Sequence, residues 1–290
     1  MELQQLLALM QASPGRFVRL EGGDVLALTD DLRRRLRRLA AYGDGGQFHP
    51  LAAEALDDAI QGMELETSED WREQLRHLDN VRQLEPRVPS TLQAELRDYQ
   101  VEGYEWLARL AHLGAGACLA DDMGLGKTVQ ALALILARAS QGPTLILAPT
   151  SVCMNWTDEA QRFAPTLRVA RFGEQGDRQQ QIDSLQAFDV LVCSYGLLQN
   201  EGERLADVSW HTVVADEAQA IKNAATKRSR AVMALRSDFK MITTGTPIEN
   251  HLGELWNLFR FINPGLLGSL EQFNRRFATP IEAHNNREVR

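Results

Sequence analysis

Between residues 91 and 262 the chain alternates short runs of consecutive apolar residues with longer stretches whose apolar positions recur every three or four residues. The short runs, at 117–120, 144–148, 167–172, 190–194, 212–215 and 241–244, read as strands buried on both faces. The longer stretches, notably 98–112, 127–138 and 226–235, read as amphipathic helices. Strands of this kind, separated by helices, predict an α/β fold with a central, mostly parallel sheet flanked by helices.

Upstream the pattern differs. From Phe17 two alternating segments flank a turn at residues 21–24, where Gly22 and Gly23 supply permissive backbone, and this predicts a strand hairpin. A helix follows, entered through Thr29, Asp30 and Asp31, with Leu32, Leu36 and Leu39 on one face and Gly43 at its end. A glycine-rich loop at 43–46 leads to two further amphipathic stretches, at 52–60 and 70–78. Residues 85–89 then contain two prolines, each of which pushes its predecessor out of helix, so this segment reads as an extended linker. The predicted organisation is a small α+β accessory domain over 1–88 and an α/β domain over 89–290. No internal repeat or low-complexity tract interrupts it.

Composition adds limits rather than identity. With 44% hydrophobic and 24% charged residues the chain is built to fold, and 290 residues favour two units. A net charge of −8 and a pI near 5.4 exclude a surface that holds nucleic acid by electrostatics alone. Any such contact must be local. Arg33, Arg34, Arg35, Arg37 and Arg38 cluster on the upstream helix and read as a solvated face in so acidic a protein. Cys118, Cys153 and Cys193 lie in or beside apolar runs without Cys-x-x-Cys spacing, which suggests buried reduced thiols rather than a disulfide framework or zinc site. The first residues lack a basic start and a small-residue cleavage site, and no apolar run reaches membrane length. The expectation is an intracellular protein with no membrane partner.

The strongest chemical signal is ACLADDMGLGKTVQALALIL, an apolar strand turning through Gly124 and Gly126 into a helix that begins near Lys127. This is the context of a phosphate-binding loop. Its glycines let backbone N–H groups close around phosphate oxygens, Lys127 reaches the β and γ phosphates, and Thr128 can ligate magnesium. The generic pattern places glycine where Asp121 stands. A second signal is WHTVVADEAQAIKN, in which an apolar strand ends at Asp216 and Glu217. Carboxylates at the end of a buried strand are costly unless used. In a nucleotide-hydrolysing site Asp216 would hold magnesium through water, and Glu217 would orient and deprotonate the attacking water. A plain acidic helix cap would account for only one of the two.

The order of these motifs over roughly residues 88–290 resembles the superfamily 2 helicase-type ATPases, and within them the Swi/Snf-like branch in its bacterial form. LRDYQVEGYEWL places Gln100 where that family reads adenine, and in DDMGLGKT an aspartate at the first loop position is usual for the branch. The resemblance thus implies a RecA-like lobe that binds ATP and Mg2+ through Gln100, Met123, Gly124, Leu125, Gly126, Lys127, Thr128 and Val129. LAPTSVCMNW and CSYGLL are similar to the family segments that touch the DNA backbone, with Thr150, Ser151, Ser194 and Tyr195 at the matching positions. Hydroxyl side chains after a strand serve equally as helix caps or turn formers. Gln219 stands where many relatives have histidine and can link the nucleotide site to the next motif. That motif is TTGTPIENHLGELWNLFRFINPGLLGS, whose Thr244, Gly245, Thr246 and Pro247 match the segment coupling ATP state to the other lobe; it continues through Glu249, Asn250, Leu255, Trp256, Pro264 and Gly265.

Such motors have a second RecA-like lobe that contributes arginines to the γ phosphate, and no motif here matches it. The resemblance therefore implies the ATP-binding half of a translocase on double-stranded DNA, slow at hydrolysis by itself, since such an arginine is worth about a thousandfold or more in turnover. It implies a cytoplasmic location, on the nucleoid in a bacterium. RNA polymerase or another DNA-bound protein is a further candidate partner. Two other readings stay open at this level: a non-catalytic ATP-sensing or protein-interaction module, against which intact Lys127, Asp216 and Glu217 weigh, and a motor on RNA or a polymerase complex.

Overall fold

The computed structural model describes residues 69–174 and 176–283 and, before them, residues 15, 17–19, 24–31, 33–35, 43–44, 47–53 and 57. The hairpin forms: strand β1 (Phe17–Arg19) pairs antiparallel with β2 (Val25–Ala27), and Val18 and Leu28 are buried. Gly22, Gly23, Leu32, Leu36, Leu39, Arg37 and Arg38 lie outside the described residues. Arg34 and Arg35 both reach Asp31, at 3.3 and 2.9 Å, across an exposed helix surface. Of the predicted loop at 43–46, Gly43 and Asp44 are strand, and Gly45 and Gly46 lie outside the described residues. Gly43–Asp44 (β3) pairs antiparallel with Gln47–Phe48 (β4), and the predicted end of the preceding helix lies outside the described residues. Of the stretch predicted at 52–60, Pro50–Ala52 forms a short 3-10 turn and most of the remainder lies outside the described residues. Helix α1 (Glu69–Gln83) covers the second stretch.

Residues 84–89 are irregular, as two prolines require, but they are tied down. The Tyr104 hydroxyl donates to Arg87 O at 2.8 Å and Arg109 Nε to Leu84 O at 2.9 Å, both from helix α2 (Asp98–Leu113).

The rest is one six-stranded sheet. Its strands are β5 (Ala117–Leu119), β6 (Thr144–Ala148), β7 (Arg168–Arg171), β8 (Asp189–Ser194), β9 (Trp210–Asp216) and β10 (Ser237–Thr243), in the order β5-β10-β9-β6-β8-β7 and all parallel. The helices between them are α3 (Lys127–Arg138), α4 (Thr150–Phe163), α5 (Arg178–Asp183), α6 (Tyr195–Ala206) and α7 (Lys227–Met233), followed by α8 (Leu252–Ile262) and α9 (Leu270–Phe273). β9 and β10 begin earlier than their apolar runs because the two strands pair back to Trp210 and Ser237.

Side chains alternate across the pleat, so each strand feeds two cores. Ile146, Val192, Val214 and Met241 pack with α2, α3 and α4, whereas Leu145, Leu147, Leu191, Val213 and Ile242 pack with α6, α7 and α8. That double burial is why the strands read as continuous apolar runs. This is the α/β architecture expected, a parallel sheet flanked by helices beside a small antiparallel pair. Cys153 and Cys193 are buried and Cys118 half-buried, all free; burial pushes the Cys118 thiol up to about 11 and that of Cys193 up to about 12.

Candidate nucleotide site

The register of the sheet assembles the site. Thr243 at the end of β10 lies level with Leu119 of β5 on one side and Asp216 of β9 on the other. The loop leaving β5 and the acids leaving β9 therefore open on the same carboxyl edge, with Thr244 between them, its N–H bonded to Leu119 O at 3.2 Å. Ligands of open parallel sheets bind at such an edge.

The loop is shaped for phosphate. Gly124 and Gly126 have φ of 83° and 77°, a region glycine enters freely, and a β-carbon on Gly124 would meet only open space. The first backbone bond of α3 runs from Gln130 N to Gly126 O, so the N–H groups of Lys127, Thr128 and Val129 point out of the helix start toward the loop. Lys127 Nζ donates to Asp121 O at 2.6 Å and Asp122 O at 3.0 Å. An ammonium has three donors, which leaves one for a phosphate oxygen. Met123 projects into solvent, 80% exposed, and a β-carbon on Gly245 would come within 3.1 Å of it. The phosphate loop thus abuts the Thr244–Thr246 turn.

Gln100 sits against this loop rather than apart from it. Its Nε2 donates to Leu125 O at 3.0 Å, its Oε1 accepts from Arg97 N at 3.0 Å, and the Tyr99 hydroxyl donates to the same Leu125 O at 3.2 Å. A β-carbon on Gly126 would lie 2.4 Å from Gln100 Nε2 and displace the amide from this position. One N–H and one lone pair of the amide remain for a base edge.

Asp216 is held by donors on both its carboxylate and its carbonyl. Its carboxylate accepts from Trp156 Nε1 at 2.7 Å, from Glu217 N at 2.9 Å and from the Thr243 hydroxyl, and its carbonyl accepts from the Tyr195 hydroxyl at 2.7 Å. A carboxylate offers about four acceptor positions, so three bonds leave room for a water on a cation. Glu217 takes a left-handed backbone, φ 47°, unusual outside glycine. Its Oε2 accepts from Gln219 Nε2 at 2.8 Å. Gln219 Oε1 in turn accepts from the Thr244 hydroxyl at 3.1 Å, and Thr244 Oγ1 from Thr246 N at 3.1 Å. The chain continues from the Thr246 hydroxyl to Glu249, which pairs with Lys222. Gln219, Thr244 and Thr246 are therefore physically linked to the acid. Glu159 on α4 lies nearby; burial raises its pKa, the Thr128 hydroxyl lowers it and the charge of Asp216 raises it.

The segments predicted to meet a DNA backbone emerge beside this edge, β6 and β8 being paired through Ala148 and Ser194. Thr150 and Ser151 are exposed at the first turn of α4. Ser194 is a helix cap, accepting from Leu197 N at 3.2 Å. Tyr195 departs from the expectation: its side chain is turned inward and 2% exposed, because its hydroxyl is committed to Asp216, so its phenol is not offered to a strand in this structure.

With this geometry the chain can be set beside known proteins. A model of the SNF2-related domain matches residues 99–290, two thirds of the chain. The chain belongs to the SNF2 family. It is 45% identical over 233 residues to YwqA of Bacillus subtilis, covering 77% of this chain and 25% of that one. It is 35% identical over 236 residues to the TATA-binding protein-associated factor mot1 of Schizosaccharomyces pombe, covering 76% and 12%. Among solved structures, the Sulfolobus solfataricus SWI2/SNF2 ATPase core in complex with dsDNA superposes with a TM-score of 0.61 at 45% identity, covering 69% of this chain and 42% of that one. The chain thus spans a quarter or less of these curated relatives and under half of that core. It is a Swi/Snf-type, helicase-like ATPase domain with a RecA-like sheet.

Three contributors to the site were not evident from sequence. Trp156, Thr243 and Tyr195 as a donor to Asp216 all lie in segments singled out for other reasons. A signal for one existed: a tryptophan in an amphipathic helix buries an indole N–H that needs an acceptor.

Proposed function

We propose that this chain is the ATP-binding part of an ATP-dependent translocase on double-stranded DNA, with residues 1–88 as an accessory region and 89–290 as the ATP-binding lobe. The observation that carries this is the register that sets Lys127, Thr128, Asp216 and Glu217 around one carboxyl edge, next to exposed Thr150 and Ser151. The likeness to an ATPase core solved in complex with dsDNA supports duplex as the partner.

In this reading the N–H groups of Lys127, Thr128 and Val129 receive phosphate oxygens, and Lys127 Nζ neutralises the terminal phosphates. Gln100 presents its spare amide positions to adenine. The Thr128 hydroxyl and Asp216 hold Mg2+, which when bound shields phosphate charge and so lowers the barrier to attack at the γ phosphate. Asp216 keeps an acceptor position for a water of that ion beside its three existing donors. Glu217, aimed by Gln219, takes the proton from the attacking water. Turnover of this chain alone is slow in this reading, because an arginine across the cleft from a second lobe supplies about a thousandfold or more.

Titration with a fluorescent ATP analogue tests the assignment. Lys127→Ala should weaken binding by about 10-fold or more, as expected for losing a charge-assisted hydrogen bond. Unchanged affinity in a folded variant would sink the phosphate-loop reading.

A further inference from the structure

The carboxyl edge reads, from one side to the other, Leu119, Thr243, Asp216, then Ala148 and Ser194. The nucleotide half occupies β5, β10 and β9, and the candidate strand-contacting half occupies β6 and β8. Asp216 stands at the boundary. Each strand-contacting segment sends one buried aromatic back across it: Trp156, two turns into α4 and 1% exposed, bonds the Asp216 carboxylate, and Tyr195, the first residue of α6 and 2% exposed, bonds the Asp216 carbonyl. One donor fixes the side chain and the other the backbone.

The packing around them makes the tethers stiff. Trp156 lies in one core with Ile146 and Val214, and Tyr195 in the other with Leu145 and Ala215. Arg228 lies over the Tyr195 ring, 5.8 Å from its centroid. Glu159, one turn beyond Trp156 on α4, lies near enough for Thr128 and the charge of Asp216 both to act on its carboxyl. Asp216, a candidate magnesium ligand, is therefore bonded to the helix whose first turn exposes Thr150 and Ser151.

We propose that Trp156 and Tyr195 are positioning residues that clamp Asp216 from the two strand-facing segments, so that seating a nucleic-acid backbone on the starts of α4 and α6 sets the Asp216 geometry required by the magnesium–nucleotide complex. This rests on the reading given under Proposed function. Coupling then needs no moving lever. A shift of α4 or α6 against the sheet lengthens an Asp216 bond, and a strand that holds both helices in place keeps the acid aimed.

The test uses the present chain, an ATP analogue and Mg2+, with and without a duplex oligonucleotide shown to be saturating by anisotropy. Trp156→Phe keeps an aromatic ring and deletes the N–H; Tyr195→Phe deletes only the hydroxyl. Disturbing a group that orients a metal ligand typically costs about 10–100-fold in metal affinity. Trp156→Phe should accordingly raise the Mg2+ midpoint for nucleotide binding about 10-fold, and Tyr195→Phe less. Affinity for the analogue in EDTA should stay within about twofold of wild type. Duplex should lower the midpoint in wild type and fail to do so in either variant. Midpoints unchanged in both variants would overturn the clamp. A duplex effect absent from wild type, or of equal size in wild type and variants, would overturn the coupling. Loss of all Mg2+ dependence in the wild type would instead sink the nucleotide reading beneath it. Tyr195→Phe, which removes a single oxygen, keeps the test decisive if Trp156→Phe unfolds.

Discussion

At the scale of single residues, the acids show how environment divides labour. Asp216 has three donors on its carboxylate, so it is rigid; Glu217 carries backbone strain of about 1–3 kcal/mol and one side-chain tether. Glu254 does a different job. It is 3% exposed and accepts from Glu249 N at 2.9 Å, Asn250 N at 3.1 Å and Asn250 Nδ2 at 2.9 Å, with Lys222 Nζ 3.2 Å away. Burial raises its carboxyl, but these donors outweigh it and hold the pKa down at about 2. A group depressed in the fold stabilises the protein above its unfolded value and loses that contribution as pH falls through the folded one. The window is therefore from about 4.5 down to about 2. Replacing Glu254 by Ala should cost about 1.5–3 kcal/mol at neutral pH, the range for hydrogen bonds to a charged group. It should also flatten the acid limb of the stability curve in that window. Urea melts at a series of pH values check both, and a constant difference down to pH 2 would contradict the assignment.

At the scale of elements, the strand-to-helix punctuation was the most legible part. Residues 127–138 and 144–148 form a helix and a strand with the bounds their periodicity predicts. Glycines before a lysine, and acids after an apolar run, identified both edges of the site because each is expensive unless used. Contacts that depend on register were not legible. Nothing in sequence spacing says that Thr243 will stand level with Asp216, or that Trp156 will reach it from 60 positions away. The seam between β5 and α8 is a similar case. Asn263 Oδ1 accepts from Gly116 N at 2.7 Å and its Nδ2 donates to Gly116 O at 2.9 Å, both in the interior. A β-carbon on Gly116 would lie 2.2 Å from Ile262 O, a backbone atom that cannot rotate away. Gly116→Ala should therefore push β5 off the end of α8 and destabilise the fold by about 1–3 kcal/mol, the usual cost of overpacking. Asn263→Ala should act through the same seam by stranding two buried backbone groups, again at about 1–3 kcal/mol each. Because the two residues share partners, the double variant should lose less than the sum, measurable as a non-additive shift in denaturant midpoint. Simple additivity would separate the two effects and refute a shared seam.

At the scale of the whole molecule, charge and topology constrain how duplex can be held. A net charge of −8 repels a polyanion over long range, so binding in the proposed reading relies on a few donors gathered where β6 and β8 end. Thr150 and Ser151 are exposed there, at the N-terminus of a 14-residue helix whose first turn offers unbonded N–H groups. Contacts made by neutral hydroxyls and peptide dipoles displace few condensed counterions, in contrast to a lysine-rich groove. Salt dependence is therefore the discriminating measurement. With about two or three phosphates neutralised, the slope of log affinity against log salt should be only about −2 to −3. Anisotropy of a labelled duplex between 50 and 200 mM salt, about the range over which basic DNA-binding proteins lose 10³–10⁵ in affinity, reads it directly. A slope steeper than about −6 would require a basic surface that the sequence argues against, and would move the strand away from the α4 and α6 starts. A shallow slope, together with the Mg2+ shift expected for Trp156 and Tyr195, would put recognition and the nucleotide site on one continuous edge, joined through Asp216.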